Sequence, residues 1–313
     1  MAAALSERGR ARTSPNPNVG CVLVKDGRVV GRGWTQPGGR PHAEAMALVQ
    51  AGAATRGATA FVTLEPCAHQ SPRGPSCADT LIAAGVAQVV AALEDPDPRT
   101  AGAGFARLRD AGIAVSVGDG ADFAMRAMAG WLMRQRLGRP FITLKLATSL
   151  DGCIALANGV SQWITGPEAR AHGHLERARA NMIVVGRGTF EADAPRLDVR
   201  LPGLEAQSPR RAVLSRASPP EGWEGLVAPE AVSDLPGVDW LMVEGGAEAA
   251  AAFLRAGLVD RLLLYRAPIL LGGGKACLAD LGLHALDSAH GQWRLADRRT
   301  LGPDMLDVYL RAS

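Results

Sequence analysis

Short apolar runs alternate with helical patterns along the first half of the chain, which predicts an α/β layer structure rather than a helical bundle. Val19 to Lys25 and Arg28 to Trp34 are expected to be strands joined by a tight hairpin turn at Asp26-Gly27. Further strands are predicted at 58–64, 88–93 and 113–117, and helices at 42–50, 76–84 and 104–111.

A break in the pattern near residue 138 divides the chain. Ala121 to Leu137 has the spacing of one long amphipathic helix, and Gly138-Arg139-Pro140 ends it before the apolar strand Phe141 to Ala147. A length of 313 residues exceeds the usual size of one domain. We therefore predict two domains, residues 1–138 and 139–313.

The second half continues the alternating style, with strands expected near 182–185, 211–214 and 240–243. Leu201 to Pro209 is rich in proline, glycine and serine, which is typical of a surface loop. No G-x-G-x-x-G motif follows the first strand of this half, so a standard Rossmann dinucleotide site is not predicted. Val243-Glu244-Gly245-Gly246 does join an apolar strand to a helix at 247–255, a turn that could bring backbone amides close to a phosphate.

Composition narrows the class of protein. Hydrophobic residues make up 47% and charged residues 21%, as in ordinary globular proteins. A net charge of +3 and 4% aromatic residues supply neither the basic stripe nor the stacking surface of a nucleic-acid binder. Met1 to Thr13 lacks the apolar segment and cleavage site typical of a secretory signal, and no apolar run reaches membrane-spanning length, so we expect neither a signal nor a membrane span. The five cysteines are too dispersed for a disulfide framework, so we expect a cytoplasmic protein.

The strongest chemical signal is His42-Ala43-Glu44, followed by Pro66-Cys67 and then by Cys77. One imidazole and two thiolates would leave the fourth tetrahedral position of a zinc ion open to water, as in catalytic sites. Glu44 would shuttle protons between that water and a leaving amine. The pattern is that of zinc nucleobase deaminases, except that the two cysteines are ten residues apart rather than three.

Two interpretations without a catalytic metal remain open from these residues alone. The three side chains could be an unrelated core histidine and two unrelated thiols. Alternatively, His69 could complete a closed structural zinc site, although Glu44 beside the ligand argues against it.

Longer strings around these residues resemble one family, the bifunctional deaminase/reductases of riboflavin biosynthesis. In the first half they are Pro15 to Val22, Pro41 to Glu44 and Thr63 to His69, followed by Asp95-Pro96-Asp97-Pro98. The family also has a long spacing between the two cysteines. In the second half the strings are Leu144 to Gly152, Ser161 to Thr165 and Val243 to Gly246, so the resemblance covers nearly the whole chain.

The resemblance implies a fold and two activities. The fold is a cytidine-deaminase-like three-layer domain followed by a dihydrofolate-reductase-like domain. The first activity is zinc-dependent hydrolytic deamination of a diaminopyrimidinone that bears ribosylamine 5′-phosphate, and the second is NADPH-dependent reduction of its ribosyl chain.

The resemblance also implies roles for individual residues. For the deaminase, His42, Cys67 and Cys77 hold zinc, Glu44 is catalytic, and Asn18 and His69 contact the substrate. For the reductase, the residues implied to contact NADPH are Ala147, Trp163, Thr189, Asp193 and Gly246. Those implied to contact its substrate are Ser161, Arg177, Leu197, Arg200 and Glu244, and Lys145 and Asp151 are candidate helpers of hydride delivery.

The chain departs from the family in two loops. Pro72 to Ser76 replaces the family's usual run before the last zinc ligand, and the stretch between Arg200 and Arg211 is short. Substrate contacts from both loops stay open. We expect a small pyrimidine ribosyl phosphate as substrate, a homo-oligomer, and no nucleic-acid or membrane partner. The rival functions are a deaminase of transfer RNA or single-stranded DNA and a non-catalytic zinc-stapled nucleotide-binding module.

Overall fold

The computed structural model describes residues 1–69 and 74–312. Gln70 to Arg73, within the loop whose substrate contacts the sequence leaves open, lie outside the described residues. The chain forms two compact units, Met1–Gly138 and Arg139–Ser313. Within the described residues, no helix is long and apolar enough to cross a membrane.

The first unit is built around a five-stranded sheet in the order β2-β1-β3-β4-β5. β1 is antiparallel to β2 and β3, whereas β3, β4 and β5 are parallel. The predicted turn is confirmed, since Asp26 and Gly27 both have positive φ. The strands are β1 Gly20–Lys25, β2 Arg28–Trp34, β3 Thr59–Val62, β4 Gln88–Ala91 and β5 Ala114–Val117; the helices are α1 Ala2–Ser6, α2 Ala43–Ala51, α3 Cys77–Ala84, α4 Ala103–Asp110, α5 Ala121–Ala127 and α6 Ala129–Leu137.

Helices cover both faces of this sheet. A Cβ on Gly20 would clash with the backbone of α1, whereas a Cβ on Gly33 would clash with the backbone of α2. Because Gly33 pairs with Cys21, the residue after Gly20, these two contacts lie on opposite faces of the pleat. The result is the expected three-layer arrangement, with the core between the sheet and its helices.

The single helix predicted over 121–137 is wrong in one respect, because it breaks at Met128 into α5 and α6. Met128 has φ −107° and ψ 14°, and its side chain is fully buried. The side-chain amide of Asn18 donates a hydrogen bond to the carbonyl of Ala127 at the break. This partner lies 109 residues away in the chain, so local periodicity could not reveal the break.

The second unit contains an eight-stranded sheet in the order β10-β9-β8-β11-β6-β12-β15-β14. Its strands are parallel from β10 to β12, and β15 and β14 add an antiparallel hairpin. The large strands are β6 Phe141–Thr148, β8 Met182–Gly186, β9 Arg210–Leu214, β10 Glu224–Leu226, β11 Trp240–Val243, β12 Arg261–Arg266, β14 Trp293–Leu301 and β15 Asp304–Arg311; β7 Cys153–Ala155 pairs with β13 Lys275–Ala276, and the helices are α7 Pro167–Ala178, α8 Arg187–Asp193 and α9 Ala247–Arg255.

The parallel part of this sheet positions a cavity. β8 and β11 are neighbours with mostly buried residues. α8 begins directly after β8, and α9 follows β11 after residues 244–246. Polar residues that follow these strands are thereby gathered at one edge of the sheet, where α/β proteins place their ligands. Leu201 to Pro209 contains only a short 3₁₀ turn, Glu205–Gln207.

Candidate active sites

Three elements of the first unit bring His42, Cys67 and Cys77 together. His42 is the N-cap residue of α2, Cys67 follows β3, and Cys77 is the first residue of α3. Their ligand atoms all lie within 4.8 Å of one another. Among the described residues these three form the cluster, and His69 does not join it.

The donor set fits a zinc ion. His42 Nδ1 lies 3.2 Å from Cys77 Sγ and 3.7 Å from Cys67 Sγ. Tetrahedral zinc with ordinary bond lengths separates a nitrogen ligand from a sulfur ligand by about 3.6 Å, so only small adjustments are needed. Three protein ligands leave one coordination position for a reacting molecule, which makes this a catalytic rather than a closed structural zinc site.

Hydrogen bonds prepare the two sulfurs for a cation. The backbone N–H of Cys77 donates to Cys67 Sγ at 3.3 Å. Hydrogen bonding from the Cys77 thiol lowers the pKa of Cys67, and the same contact together with burial raises the pKa of Cys77. Zinc takes cysteine as the thiolate, so metal binding must displace the protons that remain on the two thiols.

Glu44 lies in the first turn of α2, two residues after the ligand His42, and its side chain is 3% exposed. Burial raises the pKa of this carboxyl group, against the lowering influence of His42. The helix thus aims a water-shielded carboxyl group at the metal cluster.

A pocket of about 370 Å³ opens beside the cluster. Glu44 and the predicted substrate contact His69 both line it, and the His69 ring lies 3.4 Å from the hydroxyl of Thr100. Lining residues that were not predicted as site residues include Asn16, Arg40, Asp95, Asp97, Arg99, Trp131 and Gln135. Asn16 and Asp95 belong to sequence strings that carry the family resemblance, so the resemblance could have identified them as site residues.

Asn18 has a structural position instead of the expected place in the pocket. Its side chain is 2% exposed, and its amide nitrogen donates to the carbonyls of Ser6 and Ala127. Asn16 lies in the pocket, with its amide nitrogen 3.2 Å from His42 Nε2. Both asparagines belong to one Pro-Asn-Pro-Asn string, and spacing alone does not tell which one faces inward.

Glu65 supports the floor of the pocket. Its carboxylate accepts backbone hydrogen bonds from Asp95, Gly102, Gly104 and Phe105 at 2.8 to 3.2 Å. A Cβ on Gly104 would lie 2.1 Å from the carbonyl oxygen of Pro66, so only glycine permits this approach. The start of α4 is thereby fixed against the segment that carries Cys67.

Asp95 has an unusual electrostatic environment. Burial raises its pKa to about 6, although a hydrogen bond from the backbone of Asp97 acts in the opposite direction. The neighbouring Asp97 is bound by the Arg99 guanidinium, with Nε of Arg99 3.0 Å from both carboxylate oxygens. The two carboxyl groups therefore titrate in different pH ranges despite their proximity in sequence: Asp95 takes up a proton in mildly acidic solution, in which Asp97 stays ionised.

The second unit contains a larger cavity of about 1110 Å³. It lies at the ends of β8 and β11. All the residues predicted for the reductase except Asp151 line it: Lys145, Ala147, Ser161, Trp163, Arg177, Thr189, Asp193, Leu197, Arg200, Glu244 and Gly246.

A charged triad occupies one wall of this cavity. Arg177 Nε and Nη2 donate to Glu244 at 2.6 and 2.8 Å, and Lys145 Nζ lies 3.7 Å from the same carboxylate. Burial alone would raise the pKa of Glu244, but the charges of Arg177 and Lys145 lower it to about 2. Glu244 is therefore an anion, and two donors of the Arg177 fork are occupied by it.

Arg200 and Gly246 also have defined partners. Arg200 is 52% exposed, and its Nε is 3.5 Å from Asp198, a distance that leaves its fork available to an anion. The backbone N–H of Gly246 donates to the hydroxyl of Thr189 at 2.9 Å. Two residues predicted to contact NADPH thus contact each other.

Asp151 does not line the cavity, contrary to its expected role in hydride delivery. Its carboxylate accepts hydrogen bonds from the Ser149 hydroxyl and from the backbone of Leu271 and Gly272, the latter at 2.8 Å. These contacts tie two loops together. Their partner loop lies 120 residues away, and nothing in the local sequence identifies it.

Family models match both units. Residues 1–93 match the cytidine and deoxycytidylate deaminase zinc-binding region, and residues 140–222 and 226–306 match the RibD C-terminal domain. The match to the first model spans the zinc ligands and Glu44.

Whole-chain relatives show the same combination. The riboflavin biosynthesis protein RibD of Escherichia coli is 43% identical, with 96% of this chain and 95% of the relative covered. RibD of Mycobacterium tuberculosis is 41% identical over 95% of this chain and 91% of the relative.

Solved structures agree with these matches. Acinetobacter baumannii RibD has a TM-score of 0.85 and 36% identity, covering 100% of this chain and 97% of that one. A diaminohydroxyphosphoribosylaminopyrimidine deaminase/5-amino-6-(5-phosphoribosylamino)uracil reductase from Thermotoga maritima has a TM-score of 0.87 and 28% identity, covering 99% and 97%. The cytidine-deaminase-like and dihydrofolate-reductase-like folds are thus confirmed, and the chain belongs to the RibD family of bifunctional deaminase/reductases of riboflavin biosynthesis.

Proposed function

We propose that residues 1–138 deaminate 2,5-diamino-6-ribosylamino-4(3H)-pyrimidinone 5′-phosphate, and that residues 139–313 reduce the ribosyl chain of the product to ribityl with NADPH. The observation that carries the proposal is the convergence of His42, Cys67 and Cys77 beside the buried Glu44. These three residues would hold a zinc ion, which when bound would supply an activated water at neutral pH.

Three side chains of the first unit have roles in the proposed deamination. Glu44 takes a proton from the attacking water and delivers it to a ring nitrogen. It then takes the second proton from the hydroxyl group on the attacked carbon and passes it to the amino group, which leaves as ammonia. His69 and Asn16 line the pocket close to the cluster and are placed to orient the ring. The pocket, at about 370 Å³, matches the lower end of the volume typical of small-molecule sites, which is about 300 to 1,000 Å³.

The larger cavity suits two ligands. Its volume of about 1110 Å³ exceeds that of most sites for one small molecule. NADPH supplies the hydride. Ala147, Trp163, Thr189, Asp193 and Gly246 hold it in this proposal, while Ser161, Leu197 and Arg200 face the substrate.

The charged triad has its own role in the reduction. Glu244 fixes both Arg177 and Lys145, so we assign Arg177 to positioning the carboxylate rather than to binding phosphate with its full fork. Lys145 is left as the proton donor to the opened ribose carbonyl, and Arg200 as the phosphate ligand.

The two activities can be separated by one substitution. Glu44→Gln should lower deamination at least about 100-fold, the usual contribution of proton transfer, while zinc content stays at one ion per chain. Ammonia release with the diaminopyrimidinone measures the first activity, and NADPH oxidation with the pre-deaminated compound measures the second.

The second activity is the control for the first. NADPH oxidation should be unchanged in Glu44→Gln, because that side chain lies in the other pocket. Loss of both activities in a folded, zinc-loaded variant would contradict the assignment of one reaction to each unit.

A further inference from the structure

Arg40 projects from a fixed part of the rim of the deaminase pocket. The preceding turn is held by hydrogen bonds from Gly38 N to the Arg12 carbonyl at 2.9 Å and from the Asn16 amide to the Gly39 carbonyl at 3.1 Å. Gln36 N also donates to the carbonyl of Pro41 at 3.0 Å. The Arg40 side chain is half-buried and lines the pocket two residues before the zinc ligand His42.

The guanidinium group of Arg40 extends toward Gly74. Its Nη1 lies 3.4 Å from the position that a Cβ on Gly74 would occupy. Gly74 belongs to the segment that leads to Cys77. Arg40 is half-buried, whereas Glu44, Cys67 and Cys77 are 3%, 7% and 4% exposed, so Arg40 lies nearer the opening than the two cysteine ligands and Glu44.

The charges around the pocket leave Arg40 without a partner of opposite sign. The carboxylate of Glu65 is occupied by four backbone N–H groups. Asp95 accepts the backbone N–H of Asp97 at 2.9 Å, and Asp97 is bound by Arg99. Among the described residues, Arg40 forms neither an ion pair nor a side-chain hydrogen bond. A half-buried guanidinium with its fork free is suited to a phosphate, which it matches with two parallel hydrogen bonds.

The chemistry of the substrate supplies the complementary group. The ring that reacts must lie inside, next to the zinc ligands and Glu44, whereas a phosphate dianion is costly to desolvate and belongs at the opening. We infer that Arg40 binds the 5′-phosphate of the deaminase substrate and makes this unit select phosphorylated over dephosphorylated pyrimidines. This inference rests on the proposed function of the first unit.

The test is a comparison of two substrates in the full chain. For wild type and Arg40→Met, kcat/KM for ammonia release is measured with the phosphorylated diaminopyrimidinone and with the same compound after removal of the phosphate. The preference of the wild type for the phosphorylated compound should fall about 10- to 100-fold in Arg40→Met, the size of a hydrogen-bonded charge pair, and mainly through KM. Arg40→Lys should restore part of the preference, because it keeps the charge but not the fork.

Two further measurements separate binding from structural damage. Inorganic phosphate should inhibit wild-type deamination competitively and inhibit Arg40→Met much more weakly, while the zinc content of both proteins is the same. Arg32→Met is the matched control, since Arg32 is an exposed arginine on β2 outside the pocket, and it should keep the wild-type preference.

The possible outcomes distinguish failure of this inference from failure of the proposed deaminase function on which it rests. An active wild type whose preference survives in Arg40→Met would overturn the inference alone, as would an equal loss with both substrates. A zinc-loaded wild type that releases no ammonia from the phosphorylated compound would overturn the proposed function and the inference with it.

Discussion

The two ring nitrogens of His42 have different neighbours. Nδ1 faces the sulfurs of Cys67 and Cys77, and Nε2 faces the side-chain amide of Asn16 at 3.2 Å. With zinc on Nδ1, Nε2 would carry the proton and require an acceptor. The amide of Asn16, whose nitrogen donates to the Gly39 carbonyl at 3.1 Å, would then rotate and exchange that hydrogen bond for one from the ring to its oxygen. Asn16 thereby fixes the orientation of a zinc ligand from outside the coordination sphere.

Asn16→Ala should therefore weaken zinc binding by about 10- to 100-fold, the usual effect of removing such a partner. Zinc affinity is measured by competition with a chromogenic chelator, which does not depend on activity. Asn158→Ala is the control, because Asn158 accepts a turn hydrogen bond in the other unit. Unchanged zinc affinity in Asn16→Ala would show that the ring is held by its helix alone.

Glu244 and Arg177 provide a second prediction for single residues. Arg177→Met leaves a buried carboxylate with only Lys145 at 3.7 Å, which should destabilise the protein by about 3–5 kcal/mol at pH 7. The free energy of unfolding is measured by urea denaturation of the full chain. The control is Arg196→Met, whose ion pair with Asp198 is exposed and should contribute less than about 1 kcal/mol.

The pH dependence of this effect has a definite sign. The folded-state pKa of Glu244, about 2, is below the ordinary value of 4.5, so its contribution is complete above pH 4.5 and is lost as the pH falls toward 2. The difference between wild type and Arg177→Met should shrink across that interval. A difference independent of pH would mean that Arg177 contributes by packing rather than by charge.

At the scale of elements, helix starts position the deaminase site. His42 caps α2, and Cys77 begins α3 under the cap of Ser76, whose hydroxyl accepts from Asp79 N at 3.1 Å and donates to the Asp79 carboxylate at 2.6 Å. The Ser-x-x-Asp spacing that makes this cap is visible in the sequence. Local signals of this kind explain why most elements around the site were predicted within a few residues.

Ser76→Ala tests the importance of this cap. Loss of the cap should destabilise α3 by about 1 kcal/mol and weaken zinc binding by up to about tenfold, because Cys77 would have to be ordered at the moment of binding. Chelator competition and thermal unfolding with and without zinc measure both effects. Ser116→Ala on β5 should change neither, and equal zinc affinity for Ser76→Ala would show that the metal orders this helix start unaided.

At the scale of the whole molecule, each unit has its own core and its own cavity. The first pocket is small and contains the metal cluster, whereas the second is three times as large and contains the charged triad. The proposed reactions follow in order, since the product of deamination is the substrate of reduction. Because each reaction is assigned to its own unit, Glu44→Gln is expected to lower deamination strongly and to leave the reduction unchanged.

The sequence by itself determined the elements, the zinc ligands with Glu44, and all but one of the predicted residues of the larger cavity, because these depend on local periodicity and on motifs that chemistry restricts. The tertiary structure decided what depends on distant partners. The predicted helix is interrupted at Met128, where Asn18 donates to a backbone carbonyl, and Asn16 lies in the pocket. Asp151 accepts hydrogen bonds from a remote loop, and the guanidinium of Arg177 donates to Glu244. A hydrogen bond between residues a hundred positions apart leaves no trace in the spacing of either one. Only the packed chain shows which polar groups already have partners and which, like the guanidinium of Arg40, form no side-chain hydrogen bond within the described residues.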